Sequence, residues 1–148
     1  MARRKKQCEV IMSKLSRRDA RICAVKVIFS VDFYKEEDKE ALFERTCENS
    51  AIASNDFSKS LFLGACENLE KIDAAISENS KGWKIERISK MSLAVMRIAS
   101  YELLFTDTPT PIVINEAIEI DKLFDGDDAP AFVNGILNAV AKSERKHE

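Results

Sequence analysis

Apolar residues along this chain return every three or four positions, the repeat of one helix face rather than the alternation of a strand. Ala20, Cys23, Ala24, Val27, Ile28 and Val31 form a first stripe, and Arg17, Arg18, Arg21 and Lys26 fall largely off it. Ser16 stands at the N-cap, with Asp19 three residues later approximating a capping box. Residues 38–53 predict a second helix on Ala41, Leu42, Cys47 and Ile52. Asn55 or Asp56 caps a third and longer one, with the stripe Phe57, Leu61, Ala65, Leu69, Ile72 and Ile76. Gly64 inside it costs about 1 kcal/mol against alanine unless close packing needs the missing side chain. The polar stretch "ENSKGW" ends that helix.

Ile85 to Ile88 predict one short helical turn, and "SLAVMRIASYELLF" predicts a helix carrying Leu93, Met96, Ile98, Ala99 and Leu103. "TDTPTP" breaks it. Thr110 then serves as N-cap, with Pro111 at the first helical position. "IVINEAIEIDKLF" opens with β-branched residues, yet Ile114, Ala117, Ile118 and Asp121 continue at helical spacing towards Asp125-Gly126. "FVNGIL" contains Asn-Gly, a strong hairpin signal. Its flanks do not alternate, and Phe132, Val133, Ile136, Leu137 and Val140 mark a helical face instead. Asp127 or Asp128 supplies the cap and Pro130 lies in the first turn, where its missing N–H is harmless. Asn134-Gly135 is therefore expected inside a helix, with Gly135 admitting a close neighbour.

Four glycines and three prolines are too few for the turns of a small β-sandwich, so the expected class is all-α. At 148 residues one domain is expected, 16–148, preceded by a basic arm, 1–15. Cys8, Cys23, Cys47 and Cys66 form no C-x-x-C pair, and His147 is the only histidine. A disulfide framework, a zinc site and histidine-dependent catalysis are accordingly not expected. No apolar run reaches the roughly 18 residues of a membrane span, and the basic start lacks a signal peptide's apolar segment. A soluble, reducing, intracellular setting is the simplest expectation. The net charge of −2 conceals +7 over residues 1–26 and −9 over the remainder. Such an arm suits an anionic polymer, although a solvated tail packed on the acidic body is the competing reading.

"RRDARICAVKVIF" (17–29), "VMRIASYELLF" (95–105), "PIVINEAIEIDKLF" (111–124) and "FVNGIL" (132–137), in this order and spacing, resemble the NusB family of transcription antitermination factors. The resemblance implies a bundle of about seven helices in two packed helical subdomains. It also implies a non-catalytic, cofactor-free protein of the bacterial cytoplasm, without membrane attachment. Such a protein binds the boxA element of ribosomal RNA transcripts with the ribosomal protein NusE, within an RNA polymerase antitermination complex. A homodimer is a further state the resemblance implies.

Single-stranded RNA needs cations along its phosphates and flat side chains against its bases. By resemblance the cations are Arg17, Arg18 and Arg21, extended by Arg3, Arg4, Lys5 and Lys6 and joined by Lys26. Phe29 and Phe132 match aromatic positions, with Asp128 beside the latter. Core packing competes for both aromatics, and Asp128 is first a helix cap worth about 1 kcal/mol. Arg97, Tyr101, Glu102, Asn115 and Glu116 are polar groups in strongly apolar helices. They are expected in buried ion pairs and hydrogen bonds joining the subdomains, because stranding one buried charge costs about 3–5 kcal/mol.

Two departures matter. Lys26 replaces the family's usual glutamine, and Ala129-Pro130-Ala131 replaces its usual serine and basic residue before the aromatic. The second implies weaker RNA binding or a shift towards the N-terminal arm. Alternative readings are a homodimeric protein-interaction module with reduced RNA binding, or an accessory domain for a separate RNA methyltransferase.

Overall fold

Ser16 begins the first helix by accepting the Asp19 amide at 3.0 Å, which satisfies one of the donors a helix start leaves open. The computed structural model describes residues 15–80, 85–126 and 130–145. Helix α1 spans Arg17–Ile28 and leads into a 3₁₀ turn, Val31–Phe33. Asp38 caps α2, Lys39–Asn49. Asn55 and Ser58 exchange both bonds of a capping box at the start of α3, Asp56–Glu67.

The long third helix expected through Ile76 is two helices, because α4, Leu69–Glu78, restarts after Asn68. Asn68 donates both its backbone N–H and its side-chain Nδ2 to the Gly64 carbonyl, at 3.2 and 2.9 Å. That side-chain bond competes with the regular ladder. The stripe survives the break, since Leu61, Ala65, Ile72 and Ile76 are all buried.

A second 3₁₀ turn, Ile85–Arg87, precedes α5, Lys90–Phe105, which Ser89 caps. Pro109 rather than Thr110 is the N-cap of α6, Thr110–Asp125, so Pro111 falls one position later than expected. Gly126 ends α6 at φ 79°, a backbone angle that glycine adopts without steric cost. Helix α7, Pro130–Glu144, runs straight through Asn134-Gly135. Gly135 itself corrects the sequence expectation: a Cβ there would meet nothing within 4 Å. Gly64 is the glycine with a close neighbour, since a Cβ would lie 2.2 Å from the Tyr101 hydroxyl.

Among the described residues there are seven α-helices and no strand. Helix α5 packs against α1, α3, α4, α6 and α7. Every residue from Ala94 to Ser100 is buried, as befits a helix enclosed on all sides. Helices α1–α3 pack on one another, as do α4, α6 and α7 with α5, giving two groups joined across α5. One continuous core runs through both, from Ile28, Leu42 and Phe62 to Met96, Ile120 and Leu137. Each such side chain contributes about 1.5–3 kcal/mol by leaving water.

Arg145 closes the far end of α5. Its Nη2 donates to the carbonyls of Glu102 (2.9 Å) and Thr106 (2.8 Å), and its Nη1 to that of Thr108 (2.8 Å). Its Nε donates to the Leu103 carbonyl. A cation thus meets the partial negative charge of a helix C-terminus. No helix among the described residues is long and apolar enough to cross a membrane.

Candidate nucleic-acid interface

Arg17, Arg18 and Arg21 occupy the first turn and a half of α1, but they meet three different environments. Arg17 is exposed and lays its guanidinium over Phe57, 4.0 Å from the ring centroid. Arg18 is also exposed and donates Nε to Glu116 Oε2 at 2.7 Å. The hydrogen bond that Glu116 accepts, then its charge, raises the Arg18 pKa and keeps the group cationic. Arg21 is enclosed. Its Nε and Nη2 each lie 2.9 Å from a Glu102 carboxylate oxygen, and only 7% of the residue reaches solvent. The sequence placed all three guanidinium groups on an accessible face, and the structure reduces that set to Arg17 and Arg18. The reason is α5, which delivers Glu102 against α1 and draws Arg21 inward.

Lys26 is exposed further along α1, and Phe29 at its C-cap is 40% exposed. Phe132, on α7, is half-buried and packed against the core. Arg3, Arg4, Lys5, Lys6 and Asp128 lie outside the described residues, as does Ala129. The sequence reading missed two aromatic side chains in the turn after α1. Phe33 and Tyr34 are both exposed, under the side chains of Lys90 (4.8 Å) and Arg45 (5.2 Å) respectively. The signal available was the run "FSVDFY", which places aromatics where no helical stripe continues.

Of the inner polar residues, Arg97 and Glu102 carry ion pairs to partners from elsewhere in the chain, and Glu116 carries one at the surface. Arg97 holds Asp73 through two bonds of 2.9 Å, and Asp32 at 3.1 Å. Burial works against the Arg97 charge, but Asp73 and then Asp32 outweigh it and hold the group protonated. Glu102 pairs with Arg21 and Glu116 with Arg18, so both carboxylates tie α1 to later helices. Tyr101 stacks on Phe105 at 5.7 Å and covers Gly64. Asn115 departs from the expectation: it is on the surface, facing out from α6. The partners Asp32 and Asp73 carried no sequence signal beyond being acidic. Among the described residues no three His, Cys, Asp or Glu side chains gather as a metal site.

These features define an all-helical bundle built about one enclosed helix, with its first helix pinned by two ion pairs and edged with cations. The family model described as the NusB family matches residues 18–142. The transcription antitermination protein NusB of Clostridium novyi is 38% identical over 133 residues, covering 87% of this chain and 100% of that protein. A NusB structure from T. maritima superposes with a TM-score of 0.73 at 35% identity, covering 87% of this chain and 92% of that one. A chain in the crystal structure of antitermination factors NusB and NusE in complex with dsRNA gives 0.73 at 27% identity, covering 86% and 96%. The chain belongs to the NusB family.

Proposed function

We propose that this protein is a non-catalytic transcription antitermination factor. It binds boxA-type single-stranded RNA of ribosomal RNA leader transcripts together with the ribosomal protein NusE. Its setting is the RNA polymerase antitermination complex of a bacterial cytoplasm. The observation that carries the reading is the accessible edge of α1, with Arg17 and Arg18 at one end and Lys26 and Phe29 towards the other. Cations of this kind take phosphates, and an exposed ring offers a stacking surface for a base. In sequence, the cations continue into the N-terminal arm, residues 1–15, with Arg3, Arg4, Lys5 and Lys6, and Phe132 and Asp128 are assigned to the RNA face by the family motif. The relatives carry the antitermination name, and one structural neighbour is a complex with NusE and RNA.

Fluorescence anisotropy of a labelled boxA RNA, with and without NusE, tests this across a salt series. Contacts to four phosphates of a single strand predict a log–log slope of about −3, with tighter binding when NusE is present. RNA that ignores the monomeric chain under all these conditions overturns the proposal and favours a protein-interaction module, the role that Ala129-Pro130-Ala131 would suit.

A further inference from the structure

Cys23 on α1 and Cys47 on α2 meet inside the first group of helices, with their Sγ atoms 3.7 Å apart. Cys23 is 1% exposed and Cys47 8%. Sulfur atoms in such contact need to close by less than about 2 Å to reach disulfide length. The two thiols are also unequal. The Cys47 thiol hydrogen-bonded to Cys23 favours a Cys23 thiolate, helped by the Ser58 hydroxyl and Lys26 against the effect of burial, so the Cys23 pKa falls. Cys47 is pushed the other way, first by that same bond and then by burial. Cys66 is an internal comparison: burial alone leads the causes that push its thiol up to about 11.

We propose that Cys23 and Cys47 form a redox-active dithiol, which a hydroperoxide converts to an intramolecular disulfide stapling α1 to α2. The Cys23 thiolate attacks one oxygen of hydrogen peroxide, the O–O bond breaks, and the departing hydroxide takes a proton to become water. Cys23 is then a sulfenic acid. The Cys47 sulfur attacks the Cys23 sulfur, the S–O bond breaks, and the leaving hydroxide takes the Cys47 proton as a second water. Two electrons pass from the thiols to the peroxide, and a dithiol reductant returns them. The staple would join the helix bearing Arg17, Arg18 and Phe29 to its neighbour, limiting local opening there.

The test treats the full chain with hydrogen peroxide while its helical circular dichroism is retained, then alkylates free thiols and maps peptides by mass spectrometry. A Cys23–Cys47 linked peptide is expected, reversible with dithiothreitol, while Cys66 remains alkylated. Cys23, whose pKa falls, should react ahead of Cys66, whose thiol burial pushes up. Cys47→Ser, which keeps a hydroxyl to donate to Cys23, should trap Cys23 as a sulfenic acid that dimedone labels, and Cys66→Ala should cross-link like the parent. Because Cys47→Ser alters a buried site, a second measurement uses the unmodified chain: phenylarsine oxide, which bridges adjacent thiols, should protect both cysteines from alkylation. Cys23 and Cys47 still free after exposure that oxidises Cys66 would overturn the proposal. So would a cross-link that forms only once denaturant has removed the helical signal, or a lack of protection by the arsenical.

Discussion

Arg21 and Glu102 are 81 positions apart in sequence, yet their side chains form a two-pronged ion pair sealed between α1 and α5. With 8% and 2% of the side chains exposed, neither charge has water to fall back on. Arg21→Ala should therefore cost about 3–5 kcal/mol, by stranding Glu102. Replacing both partners, Arg21→Met with Glu102→Leu, should recover most of that loss. Urea unfolding of the single and double variants measures both effects. The folded double variant should keep native RNA affinity; a large loss would return Arg21 to the RNA face.

Arg18 differs because its pair with Glu116 lies at the surface. If Arg18 contacts RNA, a phosphate would compete with that carboxylate for the same guanidinium. Glu116→Gln should leave stability close to native and tighten boxA RNA binding. Arg17→Ala and Arg18→Ala should each flatten the salt dependence by about 0.7. An unchanged slope in either variant would take that arginine out of the contact.

Two glycines should respond oppositely to the same substitution. Gly64→Ala sets a methyl group into the Tyr101 ring, which is itself stacked on Phe105, and should cost about 1–3 kcal/mol. Shortening the neighbour with Tyr101→Leu should make that second cost much smaller, giving a non-additive double-mutant cycle. Gly135→Ala adds a methyl group in open space on α7 and should stabilise by about 1 kcal/mol. Thermal melts of the variants settle the signs.

Asp121 should make stability fall as pH rises. Ser92 Oγ lies 2.7 Å from Asp121 Oδ1 and 2.6 Å from Asp125 Oδ2, and a hydroxyl has one proton to give. The Ser92 hydroxyl can therefore serve only one of the two carboxylates at a time, which leaves buried Asp121 poorly compensated as an anion. Burial raises the Asp121 pKa, opposed by the Ser92 hydrogen bond and joined by the Asp125 charge. Among the described residues the Asp121 Oδ2 atom has no hydrogen-bond partner, and Asp121 is fully buried. Below the ordinary carboxylate value of 3.8 both folded and unfolded chains carry the proton, and the contribution is at its maximum. It declines as pH climbs from there to the raised folded value, then levels. Asp121→Asn mimics the protonated acid, so it should remove this decline and unfold at higher urea than the parent at neutral pH. Equal destabilisation by Asp121→Asn at every pH would mean that the ionised form is the native one.

Much of the architecture was legible because helices are written locally. Ser16 with Asp19, Asn55 with Ser58, and the apolar stripes of α1, α5, α6 and α7 each concern residues within a few positions of one another. The Asn134-Gly135 pair could be assigned to a helix for the same reason, since its flanking periodicity outweighed a two-residue turn signal. The Asn68 break escaped detection because a side-chain bond to Gly64 interrupts the backbone without disturbing the stripe. Within the interface, Arg17, Arg18 and Phe29 are exposed where the family motif led one to look, while Phe33 and Tyr34 had no motif to announce them.

By itself the sequence determined that this chain makes amphipathic helices, where most of them start, and that its first one is edged with arginine. Those outcomes depend on hydrogen bonds and side-chain spacing within a turn or two. Only the tertiary structure decided that Arg18 faces water while Arg21 does not, that Gly64 is covered and Gly135 bare, and that Cys23 touches Cys47. Each of these depends on what a distant helix brings opposite, and periodicity reports which face is buried without naming its partner.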